Sequence, residues 1–225
     1  MDTAFLAGTS LFAGLNAEEI GRVLTCLGAL KRTYGRNQVI CPAGGVTSFV
    51  GVVLSGSLLM EYQDAWGNRS LLSRMGPGDT YAEMFALNPG EPMPVSVVAA
   101  TDCTVLRLQA AKLSQVCGRA CPFHNQLIRN LLRVMAQSNI DLTRRMFHTS
   151  PKTIRARLMS YLSFESTRAR SRSFTIPYDR QQLADYLGVD RSALSNELSK
   201  MRREGLLECT RSRFELSEDA RAAGA

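Results

Sequence analysis

The stretch Asp179 to Glu204, DRQQLADYLGVDRSALSNELSKMRRE, decides the reading of the whole chain. It predicts two short helices joined by a tight turn. Asp179 is an N-cap residue, and Gln182 three positions on completes a capping box. Leu183, Ala184 and Leu187 give the first helix an apolar side. Gly188 supplies the left-handed backbone that ends it, and Asp190 caps the second helix. At about 100° per residue, Leu194, Leu198 and Met201 share one side of that second helix. Its opposite side carries Ser192, Ser195, Asn196, Ser199 and Arg203, with Arg191 at the start and Lys200 near the end.

A helix that enters the DNA major groove needs small side chains for close approach, hydrogen-bonding groups for base edges and cations for the flanking phosphates. This face carries all three. An ordinary solvated helix in an all-helical domain is the plainer alternative, and the placement of charge weighs against it. The net charge of the chain is +7. From Met1 to Thr143 there are 11 basic and 10 acidic residues, and from Arg144 to Arg213 there are 15 basic and 7 acidic. A generally basic surface would spread the excess evenly. Gathering it around the two helices is what a polyanion-binding module requires.

The 225 residues fit one large or two modest domains, and an apolar fraction of 45% is enough for real cores. No apolar run reaches the length of a membrane span, about 18 residues. The opening MDTAFLAGTS lacks the basic-then-apolar pattern of a signal peptide, so a cytoplasmic location is expected. The six cysteines, at 26, 41, 103, 117, 121 and 209, are scattered and read as reduced thiols.

Asn16 caps a helix from Ala17 to roughly Gly28, with Glu19 completing the capping pattern and Ile20, Val23, Leu24 and Leu27 forming its apolar face. From Lys31 to Leu108 short β-rich runs alternate with glycine turns, which predicts an antiparallel roll or barrel with Gly51, Gly56, Gly76 and Gly78 at its corners. Such a roll can hold a small molecule at its mouth. Helical texture dominates from Pro122 to Thr149. There Ile128, Leu132, Met135, Asn139, Leu142 and Met146 recur at alternating spacings of four and three, a heptad seam with one polar residue in it. Two readings of the seam stand: pairing with a second copy, or packing on the roll with Asn139 facing a ligand or water. Ser150-Pro151 predicts the start of the next helix, KTIRARLMSYLSF. A cationic loop, STRARSRS, and a short strand from Phe174 to Ile176 follow. After the two helices come strands Leu206 to Cys209 and Arg213 to Leu216 around Thr210-Arg211-Ser212. They form a wing whose Arg211 and Arg213 would touch phosphates.

This order of parts resembles the CRP/FNR superfamily of bacterial transcription regulators. The resemblance is carried by RQQLADYLGVDRSALSNELSKMRREGLLE in the carboxyl-terminal part and by GVVLSGSLLMEY, GPGDTYAEMFAL and ATDCTVLRL in the roll. It implies an α+β fold with three segments. Residues 1–120 would form an effector-sensing antiparallel β-roll (cyclic-nucleotide-binding-like, a double-stranded β-helix). Residues 121–149 would form a dimerisation helix, and residues 150–225 a winged helix-turn-helix. It implies a homodimer on a pseudo-palindromic operator in double-stranded DNA, a small effector in the roll, RNA polymerase as a further partner, and no enzymatic activity. Arg191, Ser192 and Asn196 fall where the family places base- and phosphate-contacting side chains, and Arg180 and Gln181 match backbone-contacting positions. Many members carry Glu in place of Ser192 and Arg in place of Asn196. Asn reads adenine rather than guanine, so the operator is expected to be richer in A·T at that position.

In the roll the chain departs from the cyclic-nucleotide binders of the family. Their Gly-Glu pair is here Ala82-Glu83, and no arginine occurs from Met84 to Thr101 to neutralise a cyclic phosphate. Weak or no cyclic-nucleotide binding is expected. The effector is unknown, and the candidate pocket residues are Tyr62, Glu83, Met84, Phe85, Met93, Val95, Ser96 and Asn139. No cofactor or metal site is expected: the cysteines are too few and too scattered for an iron–sulfur cluster. His124 and His148 stand about 36 Å apart on one helix and read as solvated helix histidines. Two other readings remain: a thiol-based redox regulator acting through Cys117, Cys121 or Cys209, and a small-molecule-binding module without a DNA role. No nucleophile elbow, P-loop or metal-ligand spacing supports an enzyme.

Overall fold

The computed structural model describes residues 2–64, 66–67, 69–114 and 122–218; Cys117 and Cys121 lie outside them. Two short helices open the chain, α1 (Thr3–Ala7) and α2 (Ala17–Cys26). Strands β1 (Leu30–Tyr34), β2 (Val39–Cys41), β3 (Phe49–Ser55), β4 (Leu58–Gln63), β5 (Arg69–Met75) and β6 (Thr80–Tyr81) follow, then the single turn α3 (Glu83–Ala86). Strands β7 (Ser96–Ala99) and β8 (Cys103–Gln109) lead through α4 (Ala110–Ser114) to the long α5 (Pro122–Thr149). The remainder is α6 (Ile154–Ala169), β9 (Ser173–Thr175), α7 (Arg180–Leu187), α8 (Arg191–Arg203), β10 (Leu207–Thr210) and β11 (Arg213–Leu216). The chain divides into two compact units, Met1–Gln137 and Ser138–Ala225, so the division falls within α5.

In the first unit two four-stranded antiparallel sheets run β1-β8-β3-β6 and β2-β7-β4-β5. Apart from the β4–β5 hairpin, neighbours are far apart in sequence, so the chain crosses repeatedly from one sheet to the other and makes the expected roll, although Gly51 lies inside β3 and not at a corner. The period-2 alternation of β3 and β8 serves two cores at once. Val50, Val52, Leu106 and Leu108 face a layer formed with Leu6, Leu11, Ile20, Leu24, Leu127 and Leu131 of the helices. Val53, Cys103 and Val105 face inward among Ile40, Leu58, Tyr81, Met93, Val97 and Ala99. The Tyr81 ring lies directly over Gly51, where any Cβ would collide with it. The Asn16–Glu19 capping box forms as expected. Asn130 is buried and its amide donates to Leu11 O at 3.0 Å and Ala13 O at 2.8 Å, fastening the start of α5 to the segment after α1.

In the second unit, the three-stranded sheet β10-β11-β9 closes over a core of Leu158, Leu162, Phe174, Leu183, Leu187, Leu194, Leu198, Met201 and Phe214. The start of α6 corrects the sequence reading. Its N-cap is Thr153, which accepts from Ala156 N at 3.1 Å. Ser150 instead hydrogen-bonds back to Phe147 O at 3.4 Å, so Ser-Pro finishes α5 rather than opening α6. The helix also absorbs the first residues of the expected cationic loop, ending where Arg170 turns left-handed at φ +50°. The expectation of solvated histidines fails too. His124 faces Leu113 O at 3.2 Å, and both His124 and His148 are buried.

Substituting Gly51 by Ala is expected to lower the stability of the first unit by about 1–3 kcal/mol, the usual range for overpacking a close-packed core. Urea unfolding followed by circular dichroism would show a reduced midpoint with an unchanged slope.

Candidate nucleic-acid interface

The site is built on how α7 and α8 are capped and buried. Asp179 and Gln182 exchange the two hydrogen bonds of a capping box, at 2.8 and 2.9 Å. Gly188 ends α7 at φ +63°, in the left-handed region where a side chain would be strained. Asp190 accepts from Ser192 N at 2.8 Å and Ala193 N at 3.0 Å to start α8. The Ser192 hydroxyl first, and these backbone donors after it, hold its carboxyl below the usual range. Leu194, Leu198 and Met201 are buried, which fixes the rotation of α8 about its axis. Ser192, Asn196, Ser199, Lys200 and Arg203 are therefore exposed together with Arg191, and Ser195 is half-buried.

These groups differ in how free they are. Ser192 Oγ donates to Asp190 at 2.5 Å, Ser195 Oγ to Arg191 O at 2.9 Å, and Ser199 Oγ to Ser195 O at 2.9 Å. The three hydroxyl protons are thus occupied within the helix. Lys200 lies 3.9 Å from Glu197. Among the described residues, the side chains of Arg191, Asn196 and Arg203 have no internal hydrogen-bond or ion-pair partner. An open groove of about 520 Å³, lined by Ser199, Arg202, Arg203 and Glu208, runs beside them. At the wing, Arg211 is exposed at φ +52°, and Arg213 donates to Ser173 Oγ at 3.2 Å. Gln181 is exposed and bonded to Asp185 at 2.8 Å. Arg180 is half-buried. It donates to Cys209 Sγ at 3.1 Å, lies 5.2 Å from the centre of the Phe214 ring, and keeps Nη1 without a partner.

Two positioning contacts escaped sequence reasoning. Arg155 of α6 reaches across 42 and 49 residues to Glu197 at 2.7 Å and, through both terminal nitrogens, to Glu204 at 2.7 and 2.9 Å. The hydrogen bonds from Glu204 and Glu197 hold the guanidinium firmly charged, and Arg155 in turn holds the Glu204 carboxyl below its ordinary range. Arg145 of α5 donates to Tyr186 O at 3.1 Å and Asp185 O at 3.0 Å, satisfying carbonyls at the end of α7. His148 joins it, 2.8 Å from Tyr186 Oη, with burial first and the Arg144 charge second pushing its pKa down. Nothing in local spacing announces pairs so far apart in sequence.

The expected seam residues Leu132, Leu142 and Met146 are all more than half exposed, as is Phe147, and Ile140 is 45% exposed. Asn139 is exposed and accepts from Thr143 at 3.5 Å. Ile128 and Met135 are half-buried, Met135 against the helical layer of the first unit. The candidate effector residues of the first unit differ in burial and in partners. Met93 and Val95 are core, Phe85 packs against that core, and Ser96 Oγ accepts from Ala43 N at 3.0 Å. Tyr62 and Met84 are 45% and 46% exposed. Glu83 is buried, with its carboxyl pushed up by desolvation. Ala82 adopts φ +63°, so the left-handed turn is kept by an alanine.

Residues 31–120 match the Cyclic nucleotide-binding domain family and residues 156–219 the Crp-like helix-turn-helix domain family. The chain is 24% identical over 192 residues to the Transcriptional activator protein FnrL of Cereibacter sphaeroides, covering 78% of this chain and 71% of that protein. It is 24% identical over 215 residues to the Cyclic AMP receptor protein of Thermus thermophilus, covering 96% of this chain and 95% of that one. Its fold matches the structure of the c-di-GMP responsive global regulator CLP of Xanthomonas campestris with a TM-score of 0.60, at 20% identity over 89% of this chain and 99% of that chain. An effector-binding roll followed by a long helix and a DNA-binding helix-turn-helix defines a transcription regulator and not an enzyme. The chain belongs to the CRP/FNR superfamily.

Arg155→Ala removes the shared counter-ion of two carboxylates on α8 and should destabilise the second unit. Glu204 has a folded pKa below its unfolded value of 4.5, so its share of stability is present above about pH 4.5 and is lost as pH falls through the folded value. The gap in melting temperature between wild type and R155A is therefore expected near neutrality and should close on acidification; thermal melts across that range check it.

Proposed function

We propose that this protein is a homodimeric, cytoplasmic regulator that binds a pseudo-palindromic operator through α8. On this reading a small effector other than a cyclic nucleotide switches it from the roll, and RNA polymerase is a further partner. Residues 1–120 serve as the sensing domain, 121–149 as the dimerisation helix and 150–225 as the DNA-binding domain. The observation that carries the reading is the outer face of α8, where Arg191, Asn196 and Arg203 stand exposed and, among the described residues, without an internal hydrogen-bond or ion-pair partner. Cations without internal partners are available for phosphates, and an unbonded amide is available for a base edge.

Arg180, Gln181, Arg211 and Arg213 extend the contact surface to the first helix and the wing. The Arg145 and His148 contacts to α7 give a route by which a change in α5 re-aims the reading helix. The exposed apolar residues of α5, Leu132, Ile140, Leu142, Met146 and Phe147, are the surface a second copy would cover. Weak cyclic-nucleotide binding follows from the missing arginine between Met84 and Thr101.

Selection of bound duplexes from random sequence, followed by fluorescence anisotropy over a salt series, tests this. Two copies per site, a steep loss of affinity with salt and an A·T pair at the Asn196 position are expected. A selected G at that position would overturn the Asn196 assignment, and salt-independent binding would overturn the interface. Asn196→Ala should cost about 1–3 kcal/mol on the selected site and much less on random DNA.

The thiol reading keeps one supporting observation, Cys209 Sγ at 3.1 Å from the Arg180 guanidinium. Operator affinity that changes between reducing and oxidising buffer, and not in Cys209→Ser, would favour it.

A further inference from the structure

Arg107 is a cation on the inner side of the roll. The alternation of β8 sends Leu106 and Leu108 to the helical layer and Cys103, Val105 and Arg107 the other way. Arg107 Nη2 donates to Tyr34 Oη and, at 3.4 Å, to Ile40 O. Its guanidinium carbon lies 4.0 Å from the centre of the Phe49 ring and 5.6 Å from that of Tyr34. Its Nε is buried and has no hydrogen-bond partner. Beside it, the Tyr81 ring packs edge-on to Phe49, with centroids 6.3 Å apart. Tyr81 is 1% exposed, and its hydroxyl also lacks a partner of standard hydrogen-bond geometry.

Among the described residues, no carboxylate makes an ion pair or hydrogen bond with Arg107. Glu83, the buried acid of this unit, answers to its own backbone and to Thr80. Cys41 does not neutralise the charge either: burial pushes its thiol up to about 11 against the pull of Arg107. A cation among neutral groups with an unfilled Nε–H is costly to desolvate. Two cation–π contacts offset only part of that cost. The same small volume holds a second unfilled donor, the Tyr81 hydroxyl. One positive charge and two open donors between aromatic rings define a complement: a monoanion with two acceptor oxygens on a flat apolar body. Arg107 is half-buried rather than sealed, so part of its side chain is open to solvent.

We propose that Arg107 and Tyr81 form the recognition centre for a small aromatic carboxylate, with Phe49 and Tyr34 as its walls. This rests on the reading of the roll as the effector domain and names the ligand class it takes. The carboxylate accepts from Arg107 Nε and Tyr81 Oη, giving a charge-assisted pair of hydrogen bonds in a partly dry site.

The test uses the full-length protein with benzoate as probe and benzamide as its uncharged analogue, followed by calorimetry and thermal melting. Saturable benzoate binding with one site per chain and a raised melting temperature is expected, with benzamide at least about tenfold weaker, or 1.4 kcal/mol. Arg107→Gln should lose at least about tenfold in benzoate affinity, and Tyr81→Phe about three- to tenfold. The proposal is overturned if wild type shows no saturable binding at millimolar benzoate, if benzamide binds equally, or if R107Q binds as wild type does. Should R107Q fail to fold, the volume-conserving Y81F decides, and unchanged affinity there sinks the assignment. DNA anisotropy on the same samples separates the two levels. A protein that binds DNA but not benzoate refutes this site alone, whereas one that binds no DNA refutes the regulator reading.

Discussion

The burial of Leu194, Leu198 and Met201 is the constraint on which the second unit turns. Three apolar side chains within eight residues leave one rotational setting for α8, and every polar residue on it inherits its direction from that setting. The caps at Asp190 and Gly188 then set where the helix begins and how sharply the chain enters it. Arg155 adds what burial cannot, a grip on both the middle and the end of the same helix from a neighbouring element. Its ligands are partly exposed, so its worth lies more in fixing direction than in bulk stability.

The first unit solves a different problem with the same economy. Strands β3 and β8 separate two cores, one shared with helices and one enclosed by the sheets. Because alternate residues go to opposite sides, a single polar residue in such a strand is committed to one core or the other. Arg107 falls on the enclosed side. Its company of rings and its missing counter-charge are consequences of register as much as of chemistry.

Local signals in the sequence were legible where one residue acts on neighbours three or four positions away. The Asn16 and Asp179 capping boxes, the αL end at Gly188 and the apolar sides of α2 and α8 all follow from short spacing. The Ser150-Pro151 signal misled because Ser150 bonds backward as readily as forward, and Thr153 offered a better-placed oxygen. The histidines misled because a helix histidine gives no hint of which neighbours will enclose it. Arg155, Arg145 and Arg107 stayed silent for a common reason: their partners arrive from elements 40 or more residues away, or across a sheet.

The serines of α8 carry a consequence of their own. With their protons returned to the helix, they present little more than small size and lone pairs, so they grant proximity without dictating preference. On the proposed reading, discrimination among sequences rests largely on the amide at position 196, with Arg191 placed to share it, while adhesion rests on the arginines that meet phosphates. A regulator so arranged drifts to new sites through a single codon while keeping its grip on the double helix. Its regulon is correspondingly easy to rewire.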